Sequence, residues 1–227
     1  MNFLSHYYFE RYSHDPELVL GSVLPDLIRN ADRSVNILPQ KYEDRFGNNP
    51  KMQSIYRGWA RHTETDRYFH NSDFFYTHTH ELKILLAPTV EGTEIRPSFL
   101  SHIGLELLLD HLLLHNNCIH EADFYEYLAM ADRDTVHRFL SLCAVKDTAF
   151  FFDYFDNFLK ARYVGEYRDH RNLVTAMINI CRRLWDVSPV QTKQEQMVAA
   201  IADYAAALDG HFRGIFDDIR AQLLLLH

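Results

Sequence analysis

The stretch PSFLSHIGLELLLDHLLLH, residues 97–115, limits the fold more than any other part of the chain. Wound as a helix, it carries leucine on nearly every side. A helix that is apolar all round is stable only when covered all round, so the segment predicts a helix running through a core. It also carries His102, Glu106 and Asp110 at spacing four, on one stripe, with His111 adjacent. Acids among leucines are costly unless a cation, a metal or hydrogen bonds compensate them. A structural cationic partner satisfies such a stripe, and so does a metal or acid–base site.

A second stripe lies in RHTETDRYFHNSD, residues 61–73. Read as a helix, it puts His62, Asp66, His70 and Asp73 on one face, because positions three and four apart stack above one another. Neutral imidazole nitrogen and carboxylate oxygen are the donors that a borderline divalent metal takes near neutral pH. A solvated helix face carries the same residue types, and this run alone does not separate the two readings.

The rest of the chain agrees with an all-α class. Eight Gly and seven Pro in 227 residues leave few places to turn, which favours long helices over many short strands. Strict apolar–polar alternation is absent. Helices are expected over residues 2–12, from Pro16 to Asn30, and over 51–71, 74–86, 97–115, 120–131, 133–144, 147–163, 167–185 and 192–225. Residues 30–50 and 87–97 read as loops. Gly21 permits another backbone to approach, and Pro25 should bend or break its helix just before Asp26, leaving that acid as a cap. The aromatic run Phe150, Phe151, Phe152, Tyr154, Phe155 and Phe158 reads as core. The length predicts a single helical domain, with the site-bearing helices in 1–115 and a further helical part in 116–227.

Composition excludes several function classes. A net charge of −8 without an obvious basic stripe disfavours nucleic acid as a partner. Cys118, Cys143 and Cys181 are far apart and form no C-x-x-C, so neither a zinc knuckle nor a disulfide framework is indicated, and buried reduced thiols are expected. MNFLSHYYFERY lacks the basic and apolar regions of a signal peptide. No apolar run approaches the roughly 18 residues of a membrane span, and a cytoplasmic protein is expected. The Ala-rich amphipathic last helix is suited to packing on its own domain or on a second copy, as a homodimer.

Three segments in order resemble the acyl carrier protein phosphodiesterase family, relatives of the HD-domain metal phosphohydrolases. MNFLSH resembles that family's MNFLAH. GSVLPD resembles its G-N-x-x-x-D. GWARHTETD, followed by LELLLDHLL, resembles its G-x-x-x-H-R-x-I-D and D-x-x-x-D-H-F-L. The resemblance covers residues 1–115. It implies a compact HD-like helical domain with a divalent metal (Mn, Fe or Zn) and hydrolysis of a phosphodiester, releasing phosphopantetheine from acyl carrier protein. Carried over by position, the implied site residues are His6, Asp26, His62, Asp66, Glu106, Asp110 and His111. The chain departs from the family at Ser22, Pro25, Thr63, Thr65, His70 and Glu106. The SVLPD run also resembles a segment of zinc-dependent phospholipase C-like hydrolases.

These readings assemble into one expectation. His6, Asp26, His62, Asp66 and Asp110 would hold metal, and Glu106 or His111 would orient water or protonate the leaving group. Arg61, Arg67 and His70 are candidate contacts to the phosphoester substrate. A non-catalytic helical binding protein that keeps a decayed metal site is the alternative from another class. A ferritin-like di-iron protein needs paired Glu-x-x-His motifs, and the sequence has none.

Overall fold

The computed structural model describes residues 1–185 and 193–226, and every regular element among them is helical. In chain order these are α1 (Phe3–Glu10), α2 (Pro16–Ala31), α3 (Glu43–Phe46), α4 (Pro50–His70), α5 (Asp73–Leu86), α6 (Pro97–His115), α7 (Glu121–Met130), α8 (Arg133–Leu142), α9 (Thr148–Ala161), α10 (His170–Arg182), α11 (Gln194–Leu208) and α12 (Arg213–Leu223). Side-chain caps fix many of the starts. Asp15, Ser72, Asp132, Asp147 and Asp169 each accept a backbone N–H from the first turn of the helix that follows. Such a cap satisfies one of the N–H groups that a helix leaves without an internal partner.

Three helix boundaries differ from expectation. Pro25 neither breaks α2 nor makes Asp26 a cap: the helix runs unbroken to Ala31. Proline removes one hydrogen bond, but Val19, Leu20, Val23, Leu24 and Leu27 are fully buried around it, and that packing holds the helix together. α4 ends at His70, so Asp73 opens α5 instead of extending the α4 stripe. The single last helix is two, α11 and α12, separated at residues 209–212. Gly210 weakens the helix there, and Phe212, 0% exposed, turns inward. The expected start at residue 192 lies outside the described residues.

The chain divides into two compact units, each drawn from separate stretches of the sequence. One unit comprises residues 1–5, 66–118 and 165–227; the other comprises 6–65 and 119–164. In the first, α6 packs against α5, α10 and α11, and its leucines are buried on all sides, as the sequence predicts. α11 buries Met197, Ile201, Ala205 and Leu208 within this unit. Cys181 is buried here, and Cys118 is partly covered.

In the second unit, α2 packs against α7 and α9, and α9 also meets α8. Phe151, Phe155 and Phe158 enter its core, whereas Phe150 at the start of α9 is exposed. Cys143 is buried in this unit. The crossing of α2 and α4 is unusually close. A Cβ on Gly21 would lie 2.2 Å from the carbonyl oxygen of Ile55, and a Cβ on Gly58 would lie 2.3 Å from that of Leu18. Only glycine lets the two backbones meet at this distance, which is the role the sequence assigns to Gly21. Among the described residues no helix is long and apolar enough to cross a membrane.

Candidate metal centre

α4 carries imidazoles toward both ends of the expected stripe. His62, 6% exposed, uses Nδ1 to donate to the carbonyl of Ser22, at 2.8 Å. A carbonyl only accepts, so the proton sits on Nδ1 and Nε2 keeps its lone pair in the neutral ring. The Gly21–Gly58 crossing brings that carbonyl within reach. His6 is also buried, and its ring stacks on His62 with centroids 3.8 Å apart. Asp66 follows His62 by one turn of α4. Donor atoms of His6 and His62 lie within 4.8 Å of each other. Asp26 follows Ser22 by one turn of α2 and is partly buried. Two imidazole nitrogens and a carboxylate are a donor set that suits a first-row divalent metal, so these residues fit the ion that the motifs imply.

A second group lies wholly in the first unit. His70 Nδ1 donates to the carbonyl of Asp66, at 2.9 Å, one turn back on its own helix. Its Nε2 lies 3.0 Å from Glu106 Oε1 and 3.2 Å from His102 Nε2, and His102 Nε2 lies 3.2 Å from the same carboxylate oxygen. Phe75 packs its ring against both imidazoles, with centroids 4.9 and 5.0 Å away. The Ser72 cap sets the first turn of α5 and hence the place of that ring. The Met1 ammonium donates to Asp66 Oδ1 at 2.6 Å and to Glu106 Oε1 at 3.0 Å. Burial pushes the Glu106 carboxyl up, but the Met1 charge and the bonds from His102 and His70 outweigh it and hold the acid well below the usual carboxylate range.

Other expected site residues are committed elsewhere. Asp110, 0% exposed, was expected to bind metal. Its two oxygens instead accept from the backbone N–H groups of Leu4 and Ser5, from Ser5 Oγ and from the Asn2 side chain. It is a cap for α1, supplied by α6, and four donors leave its lone pairs occupied. Burial nevertheless raises its pKa to about 6, against the lowering effect of those bonds. His111 donates from Nδ1 to the carbonyl of Tyr167 at 2.8 Å and packs against His115 and His170. Burial lowers its pKa, toward the neutral form. Arg61 donates to Glu10 Oε1 at 2.5 Å. It neutralises a 4% exposed acid and is not a free phosphate contact. Arg67 is exposed on α4.

Sequence reasoning noted His102 on its stripe but gave it no role. The signal was present: His102 precedes Glu106 by one turn, the same spacing that singled out His62 and Asp66. Comparison with protein-family models, with curated proteins and with solved structures finds no significant match.

Proposed function

We propose that this chain is a metal-dependent phosphohydrolase acting on phosphodiesters, with His62 and Asp66 of α4 as the central ligand pair and His6 beside them. The observation that carries the reading is the state of His62. It is buried, its tautomer is fixed by a carbonyl of another helix, and its lone-pair nitrogen shares a face with a carboxylate one turn away. Metal-binding histidines are held in this way, through the other ring nitrogen. A divalent ion held there supplies positive charge to phosphoryl oxygens and acidifies water.

The chain's own groups constrain the rest. The Met1 charge and the bonds from His102 and His70 favour the anionic form of Glu106, which does not suit it to protonate a leaving group. The resemblance at MNFLSH, GSVLPD and GWARHTETD extends the proposal to acyl carrier protein as substrate, with release of phosphopantetheine.

A non-catalytic binding protein is the rival, favoured by the commitment of Asp110 and Arg61 to structure. The test is turnover of bis(p-nitrophenyl) phosphate and of holo-acyl carrier protein by protein loaded in turn with Mn, Fe(II) and Zn. Turnover that disappears in His62→Ala and Asp66→Ala supports the phosphohydrolase. Tight metal binding with no turnover of any diester supports the rival.

A further inference from the structure

The structure assigns a separate divalent-metal site to His70, His102 and Glu106, a two-histidine, one-carboxylate set for a first-row ion such as Fe(II), Mn or Zn. The site is independent of the ligands proposed around His62.

The tautomer of His70 is set within its own helix. The Asp66 carbonyl accepts from His70 Nδ1, so a neutral His70 presents a lone pair at Nε2. That lone pair faces an anionic carboxylate oxygen at 3.0 Å and a second imidazole nitrogen at 3.2 Å. A positive charge between the two groups holds them together, and either a proton on the imidazole or a divalent ion supplies it. The Met1 ammonium donates to this same Glu106 oxygen, so the two imidazole nitrogens and the ammonium converge on one point of negative charge.

The spacing matches coordination. Donors on a metal at about 2.1 Å stand about 3.0 Å apart at right angles and about 3.4 Å apart in a tetrahedron. The three edges here are 3.0, 3.2 and 3.2 Å. A set of two imidazoles and one carboxylate selects the borderline first-row ions over Mg or Ca, which take oxygen donors. The side chains are 30%, 42% and 18% exposed, so an ion can enter from solvent and keep open positions for further ligands.

Metal stoichiometry tests the assignment directly. The full chain is dialysed against Zn or Mn and the bound ion counted by mass spectrometry, for wild type and for His102→Ala, His70→Ala and His62→Ala. His102 is the most exposed of the three, so its variant should keep the fold, with circular dichroism as the control. The expected result is one ion fewer in both His102→Ala and His70→Ala, and this ion retained in His62→Ala. Excess Mg should not displace it. Wild-type stoichiometry and affinity in His102→Ala would overturn the assignment. A loss confined to His62→Ala would overturn it as well, while leaving the phosphohydrolase reading intact.

Discussion

The two histidines of α4 reach the same chemical state by opposite routes. His62 is buried, and its Nδ1 proton is held by a carbonyl of α2. His70 is partly exposed, and its Nδ1 proton is held by the carbonyl four residues earlier on α4 itself. The first arrangement requires a tertiary crossing that only Gly21 and Gly58 allow; the second requires only that the helix form. Ligand orientation can therefore come from packing or from local helix geometry. The two routes should differ in how easily mutation breaks them.

The largest effect is expected from Gly58→Ala. Its new methyl would press on the Leu18 carbonyl and the backbone at Gly21, so the helices must part. A cost of about 3 kcal/mol is expected in chemical denaturation. The cysteines localise the damage. Burial pushes both Cys143 and Cys181 up to about 12, so neither should react with a thiol reagent at neutral pH while folded. In Gly58→Ala, Cys143, in the same unit, should label faster, while Cys181 keeps its rate. Equal acceleration at both would refute a local effect.

Arg61→Ala comes next, at about 2 kcal/mol, because it leaves the buried Glu10 carboxyl without its partner. Arg61→Ala combined with Glu10→Gln should recover part of that loss. By contrast, His102→Ala, on α6 beside His70 at the other end of α4, should change stability by less than about 0.5 kcal/mol. If it proves as costly as Arg61→Ala, the contrast between the two ends fails.

The smallest effect concerns the first turn of α4, where Lys51 bonds Asp132, the cap of α8. The Lys51 bond, with the Thr135 N–H, holds the Asp132 carboxyl down at about 2, against an ordinary value of 3.8. An acid with a depressed folded pKa stabilises the fold above its unfolded pKa and loses that contribution as pH falls through the folded one. Wild type should therefore lose denaturant resistance between about pH 4 and pH 2. Asp132→Asn should flatten this part of the curve; an unchanged slope would show that the pair is immaterial.

Much of the architecture was legible because it rests on local rules. The leucine-wrapped helix over Pro97–His115 appears with the bounds that its pattern implies, since a segment apolar on all faces has no stable place outside a core. Gly21 was readable as a close approach because it interrupts an otherwise apolar helix. Pro25 misled because burial on both sides outweighs one missing hydrogen bond, and burial is not written at the proline itself. The break after α11 was hidden because Ala-rich periodicity continues through Gly210.

The candidate site divides in the same way. Spacing alone put His62 with Asp66 and His102 with Glu106, since residues one turn apart share a face wherever the helix lies. What spacing could not decide was which acids remain available. Asp110 looks like Glu106 in sequence, four residues on along one stripe. Yet the fold brings the first turn of α1 onto Asp110, and its oxygens are taken by backbone N–H groups. Glu106 instead meets two imidazoles, one from its own helix and one from α4. Donor identity belongs to the sequence, but whether a donor faces an N–H or a second donor depends on residues a hundred positions away, and only the tertiary structure brings those together.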